Sequence, residues 1–263
     1  MRDEFLKTDI DERGVATLTM NRPELHNAFD DLLIAALTGE LRRLEGDDSV
    51  RVVILAAAGR SFSAGADLAW MRRMADYTRE ENLADALGLA ELMRTLATLR
   101  KPTIARVQGA AYGGGVGLVA CCDMAIASRR ATFCLSEVKL GLIPAVISPY
   151  VVEAIGPRAA RRYFQSAEVF DAAEAHRLGL LHEVTAAEEL PAAVERLAAS
   201  LLANGPRAMA AAKELVARVA SGPIDGAMIR DTAERIADAR ASAEGKEGLS
   251  AFLEKRKPRW VKG

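Results

Sequence analysis

The sequence predicts an α/β fold in which strands, tight turns and helices alternate, followed by a helical C-terminal region. Two glycine-rich turns, SFSAGADL at residues 61–68 and GAAYGGGVG at residues 109–117, each follow an apolar strand-like run and lead into a helix-like stretch. Strand patterns cease after about Glu188, whereas helical periods continue beyond it. Recurring units of strand, turn and helix favour stacked α/β repeats over a β-sandwich or a helical bundle.

The N-terminal part is predicted to form a hairpin, a helix and a buried strand. Residues 5–10 and 15–20 flank the polar stretch DERG and predict a β-hairpin. Leucine and alanine recur with a helical period over residues 30–45, which Gly46 closes. This helix is expected to cover a sheet whose next strand is residues 52–56.

After each glycine-rich turn the pattern becomes helical. Residues 66–74 and 80–99 predict helices, and Lys101-Pro102 ends the second one before a strand at residues 103–107. A short helix and two strands, at residues 124–127 and 131–135, are predicted after the second turn.

The C-terminal region is predicted to be entirely helical. Its helical periods cover residues 190–203, 206–220, 224–241 and 245–255. We therefore expect a core that contains the functional site at residues 1–195 and a helical region at residues 196–263.

Composition and charge favour a globular protein without a nucleic-acid or membrane partner. Half of the 263 residues are hydrophobic and 27% are charged, and 35 Lys and Arg face 36 Asp and Glu. A balance so close to zero gives no electrostatic reason to expect nucleic acid or an acidic membrane surface as partner. Neither a signal-peptide pattern nor an apolar stretch of membrane-spanning length is visible, so a cytoplasmic location is expected.

The cysteines and histidines do not suggest a metal site or a nucleophile. Cys121, Cys122 and Cys134 lack the spacing of a disulfide framework or a CxxC site, and the three histidines do not cluster at the spacing of metal ligands. No GxSxG elbow is present. We therefore expect no metal and interpret the cysteines as small core residues.

A dinucleotide-binding fingerprint also occurs in the second turn. Gly115 and Gly117, with Ala120 three residues on, follow a strand and precede Glu137 by some twenty residues. The helix after these glycines ends by about Cys122, which is too short for the usual crossover helix. Nicotinamide binding is therefore disfavoured, and no cofactor is expected.

The two turns offer backbone donors for an oxyanion. Glycines let the backbone approach a ligand where a Cβ would obstruct it. Backbone N–H groups that converge on a carbonyl oxygen stabilise the negative charge that develops there. If the two turns meet in space, the chain is an acyl-transforming enzyme.

Five motifs, in order along the whole chain, carry a resemblance to a known family. They are NRPELHNAF (residues 21–29), SAGADL (63–68), GGG (113–115), EVKLGLIP (137–144) and FLEKRKP (252–258). Together they resemble the enoyl-CoA hydratase/isomerase, or crotonase, superfamily. The resemblance implies a spiral of ββα repeats with a C-terminal helical region that packs against neighbouring subunits in a homotrimer or a dimer of trimers.

The resemblance also implies site residues. The two oxyanion-hole amides of the family correspond to Ala66 and Gly114, and the glutamate that exchanges a proton with the substrate α-carbon corresponds to Glu137. A carboxyl group can do this because an apolar cleft raises its pKa toward neutrality. Glu137 as a solvated charge at a strand end is the alternative. Coenzyme A enters as part of the substrate.

The acyl-CoA substrate is expected to contact residues from several motifs. The implied substrate-binding residues are Leu25, Ala64, Asp67, Leu68, Tyr112, Gly117, Lys255 and Lys257. Lys255 or Lys257 would meet a phosphate, or both would form the solvated basic end of a helix. Asp67 could instead form hydrogen bonds within its own turn.

The chain departs from the two-glutamate pattern of crotonase-type hydratases. Gly117 stands at the first glutamate position, so Glu137, with Tyr112 or Ser136 orienting water, would perform both proton steps. The sequence around both positions is most similar to bacterial methylglutaconyl-CoA hydratases of leucine degradation. We hypothesise that Gly117 removes a like charge and opens space for a substrate carboxylate.

The resemblance thus implies a lyase that adds water to a branched or carboxylated enoyl-CoA such as 3-methylglutaconyl-CoA. A Δ3,Δ2-enoyl-CoA isomerase, which needs one base, and a non-catalytic acyl-CoA-binding subunit are the alternatives. The stretch AVIS at residues 145–148 would either reshape the acyl pocket or pack the spiral.

Overall fold

The computed structural model describes residues 5–220 and 222–261, and every structural statement below concerns these residues. The strands are β1 (Leu6–Ile10), β2 (Val15–Met20), β3 (Val52–Ala57), β4 (Thr103–Val107), β5 (Ala111–Tyr112), β6 (Met124–Ser128), β7 (Thr132–Cys134), β8 (Phe170–Asp171) and β9 (Glu183–Thr185). The α-helices are α1 (Asp31–Gly46), α2 (Leu68–Met74), α3 (Arg79–Ala97), α4 (Gly114–Cys121), α5 (Ser148–Ser166), α6 (Ala172–Leu178), α7 (Leu190–Leu202), α8 (Pro206–Ala220), α9 (Gly226–Ala241) and α10 (Ala243–Leu253).

Two sheets organise the core. The larger one has six strands in the order β1-β2-β3-β4-β6-β9, and the smaller one has the order β5-β7-β8. The β1-β2 pair is the predicted antiparallel hairpin, whereas the other pairs of the larger sheet are parallel. Parallel neighbours require crossover connections, which the helices between the strands supply. The predicted mixed α/β fold is confirmed.

The larger sheet is buried on both faces. Leu55 of β3 belongs to the main apolar cluster with residues of α1 and α3, whereas Ile54 belongs to a second cluster with Leu190 and Val194 of α7. Alternate residues of a strand point to opposite faces, so each face of the sheet needs its own cover. This requirement explains why β3 is a continuous apolar run, VVILAA.

Capping and periodicity explain the two helices that cover the sheet. The Asp30 carboxylate accepts a hydrogen bond from the Leu33 amide at the start of α1. Thr78 and Glu81 form a reciprocal capping box at the start of α3. Such caps satisfy amides that have no partner within the helix and contribute about 1 kcal/mol each. Both helices begin close to the predicted residues.

The predicted boundary at residue 195 lies inside α7. This helix packs on the sheet through Leu190, Ala193, Val194 and Ala198, so it is part of the core. From Pro206 onward, the helices α8, α9 and α10 contact one another. Within the described residues, no helix is both long and apolar enough to cross a bilayer.

Candidate active site

The two glycine-rich turns meet in space, as the sequence analysis required. Ser63 and Ala111 form a parallel bridge. The Ser63 amide donates to the Ala110 carbonyl oxygen (3.0 Å), and the Tyr112 amide donates to the Ser63 carbonyl oxygen (2.9 Å). These backbone hydrogen bonds fix the position of one turn relative to the other.

Two backbone amides at this junction are free to bind a ligand. Ala66 precedes α2, and Gly114 is the first residue of α4. Within the described part of the chain, neither N–H group donates a hydrogen bond to the protein. Both residues line a cavity of about 420 Å³. The N-terminal end of α4 adds a favourable dipole for negative charge at Gly114.

Glycine is needed at two positions because the turns and a carboxylate are closely packed. Gly65 has φ +93° and Gly113 has φ +52°, conformations that other residues rarely adopt. A Cβ atom on Gly65 would lie 3.3 Å from the Tyr112 carbonyl oxygen, and one on Gly113 would lie 3.3 Å from Glu137 Oε1. The Glu137 carboxyl group therefore lies against the second turn at Gly113, the residue before Gly114.

Glu137 has the environment of a proton-transfer residue. It begins a short 3₁₀ turn after β7, and it lines the same cavity as Ala66 and Gly114. Its Oε2 atom is buried and accepts no hydrogen bond from the described residues. Burial raises the pKa of Glu137, because removal from water disfavours the charged form. Glu137 is therefore not a solvated charge at a strand end.

The remainder of the cavity wall is mostly apolar. Helices α2 and α3 provide one side, and the segment after the 3₁₀ turn provides the other. The apolar residues of these two sides are Leu68, Trp70, Met71, Met74, Ala86, Leu89, Leu140, Leu142, Ile143, Pro144, Ala145, Val146 and Ile147. Ser136 also lines the cavity, in keeping with a role in orienting water.

A second carboxyl group in the cavity was missed by the sequence analysis. Asp85 of α3 lines the cavity, and its Oδ1 accepts a hydrogen bond from Trp70 Nε1 at 3.1 Å. Burial raises the pKa of Asp85. Asp85 lies four residues before Leu89, which also lines the cavity, so the two share one face of α3. This spacing is the sequence signal that could have identified Asp85 as an acid on the inward face.

The hypothesis that Gly117 opens space for the substrate is wrong. Gly117 is buried in α4 and does not line the cavity. A Cβ atom there would lie 2.3 Å from Ile147 Cγ2 and 3.2 Å from Met93 Cε. Ile147 thus occupies the space that a side chain at position 117 would need, while it also lines the cavity. The AVIS stretch therefore packs the fold and shapes the pocket at once.

The loop between the first turn and α2 contains both cavity residues and a capping residue. Ala64 and Leu68 line the cavity, and Leu68 is 71% exposed. Asp67 does not line it. Its carboxylate accepts hydrogen bonds from the amides of Ala69 (2.8 Å) and Trp70 (3.1 Å), so it caps α2. The alternative of hydrogen bonds within the turn is therefore correct for Asp67, and its contact with the substrate stays a prediction.

Four further predicted contacts lie off the cavity wall. Leu25 is 42% exposed but does not line the cavity. Tyr112 directs its hydroxyl group to Thr132 Oγ1, 3.4 Å away, so it is not placed to orient water in the cavity. Lys255 and Lys257 are exposed beyond α10, and their contact with a phosphate stays a prediction.

The cysteines lie in the interior, as interpreted from the sequence. All three are buried and free. Burial raises the pKa of the Cys122 thiol to about 12, so a reactive thiolate is disfavoured at neutral pH. Among residues 5–220 and 222–261, no group of three His, Cys, Asp or Glu side chains is arranged to hold a metal ion.

The site defines a class of enzyme. Two free backbone donors that share a cavity with a carboxyl group whose Oε2 atom is buried and without a hydrogen-bond partner can stabilise an oxyanion and move a proton at the adjacent carbon. Residues 11–263 match the family described as enoyl-CoA hydratase/isomerase, and the chain belongs to this family, the crotonase superfamily.

Solved structures and characterised relatives agree with this membership. The structure of an enoyl-CoA hydratase from Shewanella pealeana is 49% identical with a TM-score of 0.95, and the match covers 97% of this chain and 96% of that one. A crotonyl-CoA hydratase from Syntrophomonas wolfei is 34% identical over 252 residues, 95% of each protein. A 1,2-epoxyphenylacetyl-CoA isomerase from Escherichia coli is 34% identical over 266 residues, 98% of each.

These matches confirm the predicted crotonase fold and, at the level of the superfamily, the predicted hydratase. The narrower resemblance to methylglutaconyl-CoA hydratases stays a prediction.

Proposed function

We propose that this chain adds water across the double bond of an enoyl-CoA thioester. The observation that carries the proposal is that the free Ala66 and Gly114 amides share one cavity with the Glu137 carboxyl group, whose Oε2 atom is buried and has no hydrogen-bond partner. The thioester oxygen would accept both amide hydrogen bonds. The α-carbon would then lie next to Glu137.

A single carboxyl group can complete the reaction. The Glu137 carboxylate takes a proton from water as the water oxygen bonds to the β-carbon, and the electron pair of the double bond moves to the thioester oxygen. The two amides stabilise this enolate. The enolate restores the carbonyl group, and its α-carbon takes the proton from Glu137. One water is consumed, and the carboxylate is regenerated.

The acyl group is proposed to be short or branched. The apolar wall formed by Met71, Met74 and Leu89 suits methyl branches. A carboxylated acyl group such as that of 3-methylglutaconyl-CoA, with its implied place in leucine degradation, would bind less favourably, because its charge would meet acidic residues. Glu137 and Asp85 are the ionisable residues of the described cavity wall, and both are acids.

An isomerase is the second candidate. A single proton-transfer residue is sufficient to move a double bond between carbons, and one relative is named as an isomerase. The same cavity would also bind acyl-CoA if the chain were a non-catalytic subunit.

A homotrimer or a dimer of trimers is proposed for the assembly. Large apolar side chains are exposed on the C-terminal helices, and a neighbouring subunit would cover them. They include Val216, Ile229, Ile236, Leu249 and Phe252.

Turnover of crotonyl-CoA, 3-methylglutaconyl-CoA and a 3-enoyl-CoA separates the candidates. A product heavier by one water supports the hydratase, and a change of absorbance at constant mass supports the isomerase. No turnover of any of the three supports the binding subunit. Glu137→Gln should lower turnover by about 10²–10⁴-fold. Glu183→Gln is the control and should not, because Glu183 lies on β9 outside the cavity, where it pairs with Arg196.

A further inference from the structure

Asp85 stands where the acyl tail is expected to lie. If the thioester oxygen is bound by Ala66 and Gly114, the tail runs away from the glycine-rich turns. The wall on that side is formed by α2 and α3, and Asp85 is its charged member. We propose that Asp85 is a specificity-determining residue that admits uncharged acyl groups and rejects acyl groups that end in a carboxylate.

The Asp85 carboxyl group is held in place and has a free oxygen. Trp70 is only 4% exposed, and its Nε1 donates to Asp85 Oδ1. Asp85 Oδ2 accepts no hydrogen bond from any residue that the structure describes. A buried indole that orients one oxygen leaves the other available to whatever occupies the cavity.

The surroundings do not neutralise this charge within the cavity. The positive charge of Arg73 acts on Asp85, and the negative charge of Asp31 opposes it. Arg73 and Asp31 form an ion pair with each other, and neither lines the cavity. A carboxylate on the acyl tail would therefore meet Asp85 without a cation from the described wall.

The expected discrimination is large enough to measure. Two like charges about 6 Å apart in a medium of effective dielectric constant about 20 reduce binding on the order of a hundredfold. Solvent at the open end of the cavity lowers this figure, so a tenfold effect or more is expected.

The inference rests on the proposed acyl-CoA function, and binding measurements test the two separately. Butyryl-CoA and glutaryl-CoA are saturated thioesters, and the second adds a terminal carboxylate. Their dissociation constants are measured by calorimetry for the unchanged protein, for Asp85→Asn and for Asp48→Asn. Asparagine keeps an acceptor for Trp70 while it removes the charge. Asp48 provides an exposed carboxylate outside the cavity as the matched control. Thermal unfolding of each variant verifies that it is folded.

The unchanged protein should bind butyryl-CoA at least ten times more tightly than glutaryl-CoA. Asp85→Asn should reduce that ratio at least tenfold by tightening the binding of glutaryl-CoA, and Asp48→Asn should leave the ratio unchanged. Equal ratios in the unchanged protein and in Asp85→Asn overturn the inference while the proposed function stands. Failure to bind either thioester overturns both.

Discussion

Replacement of Gly117 by alanine tests whether Ile147 fills the space beside this residue, which stands where crotonase-type hydratases have their first glutamate. The added Cβ atom would lie 2.3 Å from Ile147 Cγ2 and 2.9 Å from Ile147 Cβ. Ile147 is 3% exposed and β-branched, so it has little freedom to move away. Overpacking of this kind costs about 3 kcal/mol, whereas alanine in a helix gains up to about 1 kcal/mol over glycine. We expect a net loss of about 2 kcal/mol in the free energy of unfolding.

Gly88→Ala provides a control for which the change in the free energy of unfolding should have the opposite sign. Gly88 lies in α3, and nothing stands within 4 Å of the Cβ position. Gly88→Ala should therefore raise the free energy of unfolding by about 0.5–1 kcal/mol. Urea unfolding, followed by circular dichroism at one protein concentration, compares the two variants. A Gly117→Ala protein as stable as the unchanged one would refute the packing argument.

The same reasoning predicts the outcome of restoring a glutamate. Gly117→Glu should not create a second catalytic carboxylate, because Ile147 and Met93 occupy the space. The expected result is a less stable protein without any gain in kcat for crotonyl-CoA. A faster and stably folded Gly117→Glu variant would contradict the structure.

Three further predictions concern the site. Glu137→Gln should lower kcat by about 10²–10⁴-fold. Burial raises the pKa of Glu137, so the charged carboxylate destabilises the fold as the pH rises through that pKa. The Glu137→Gln variant should therefore have a higher melting temperature than the unchanged protein at pH 7. For the unchanged enzyme, kcat/KM should fall as the pH decreases through the raised pKa of Glu137, and an acid limb centred at or below the ordinary glutamate value would count against Glu137 as the base. Asp67→Ala should lower the free energy of unfolding in urea by about 1 kcal/mol, because the α2 cap is lost. The KM for acyl-CoA should stay unchanged. A raised KM would identify Asp67 as a substrate contact.

Several elements were predictable because their signals are local. The helix of residues 30–45 has a continuous apolar period and an aspartate cap, and the structure places α1 at Asp31–Gly46. The hairpin and the strands that bear the glycine-rich turns likewise depend on short apolar runs between turn residues. Helix α5 has a weaker local signal, because Gly156 at φ +74°, directly before Pro157, interrupts its period.

The sequence by itself determined the family, the two turns with their backbone donors, and Glu137, because these are carried by residue types at fixed spacing within short motifs. Tertiary structure alone decided what surrounds them. It placed Ile147 over Gly117, aligned Trp70 with Asp85 and turned Asp67 toward its own helix. These contacts depend on the direction of side chains from different elements, and that direction is fixed only when the elements pack together. The motifs therefore specify the reaction centre, and the packing around it specifies the shape and charge of the acyl cavity.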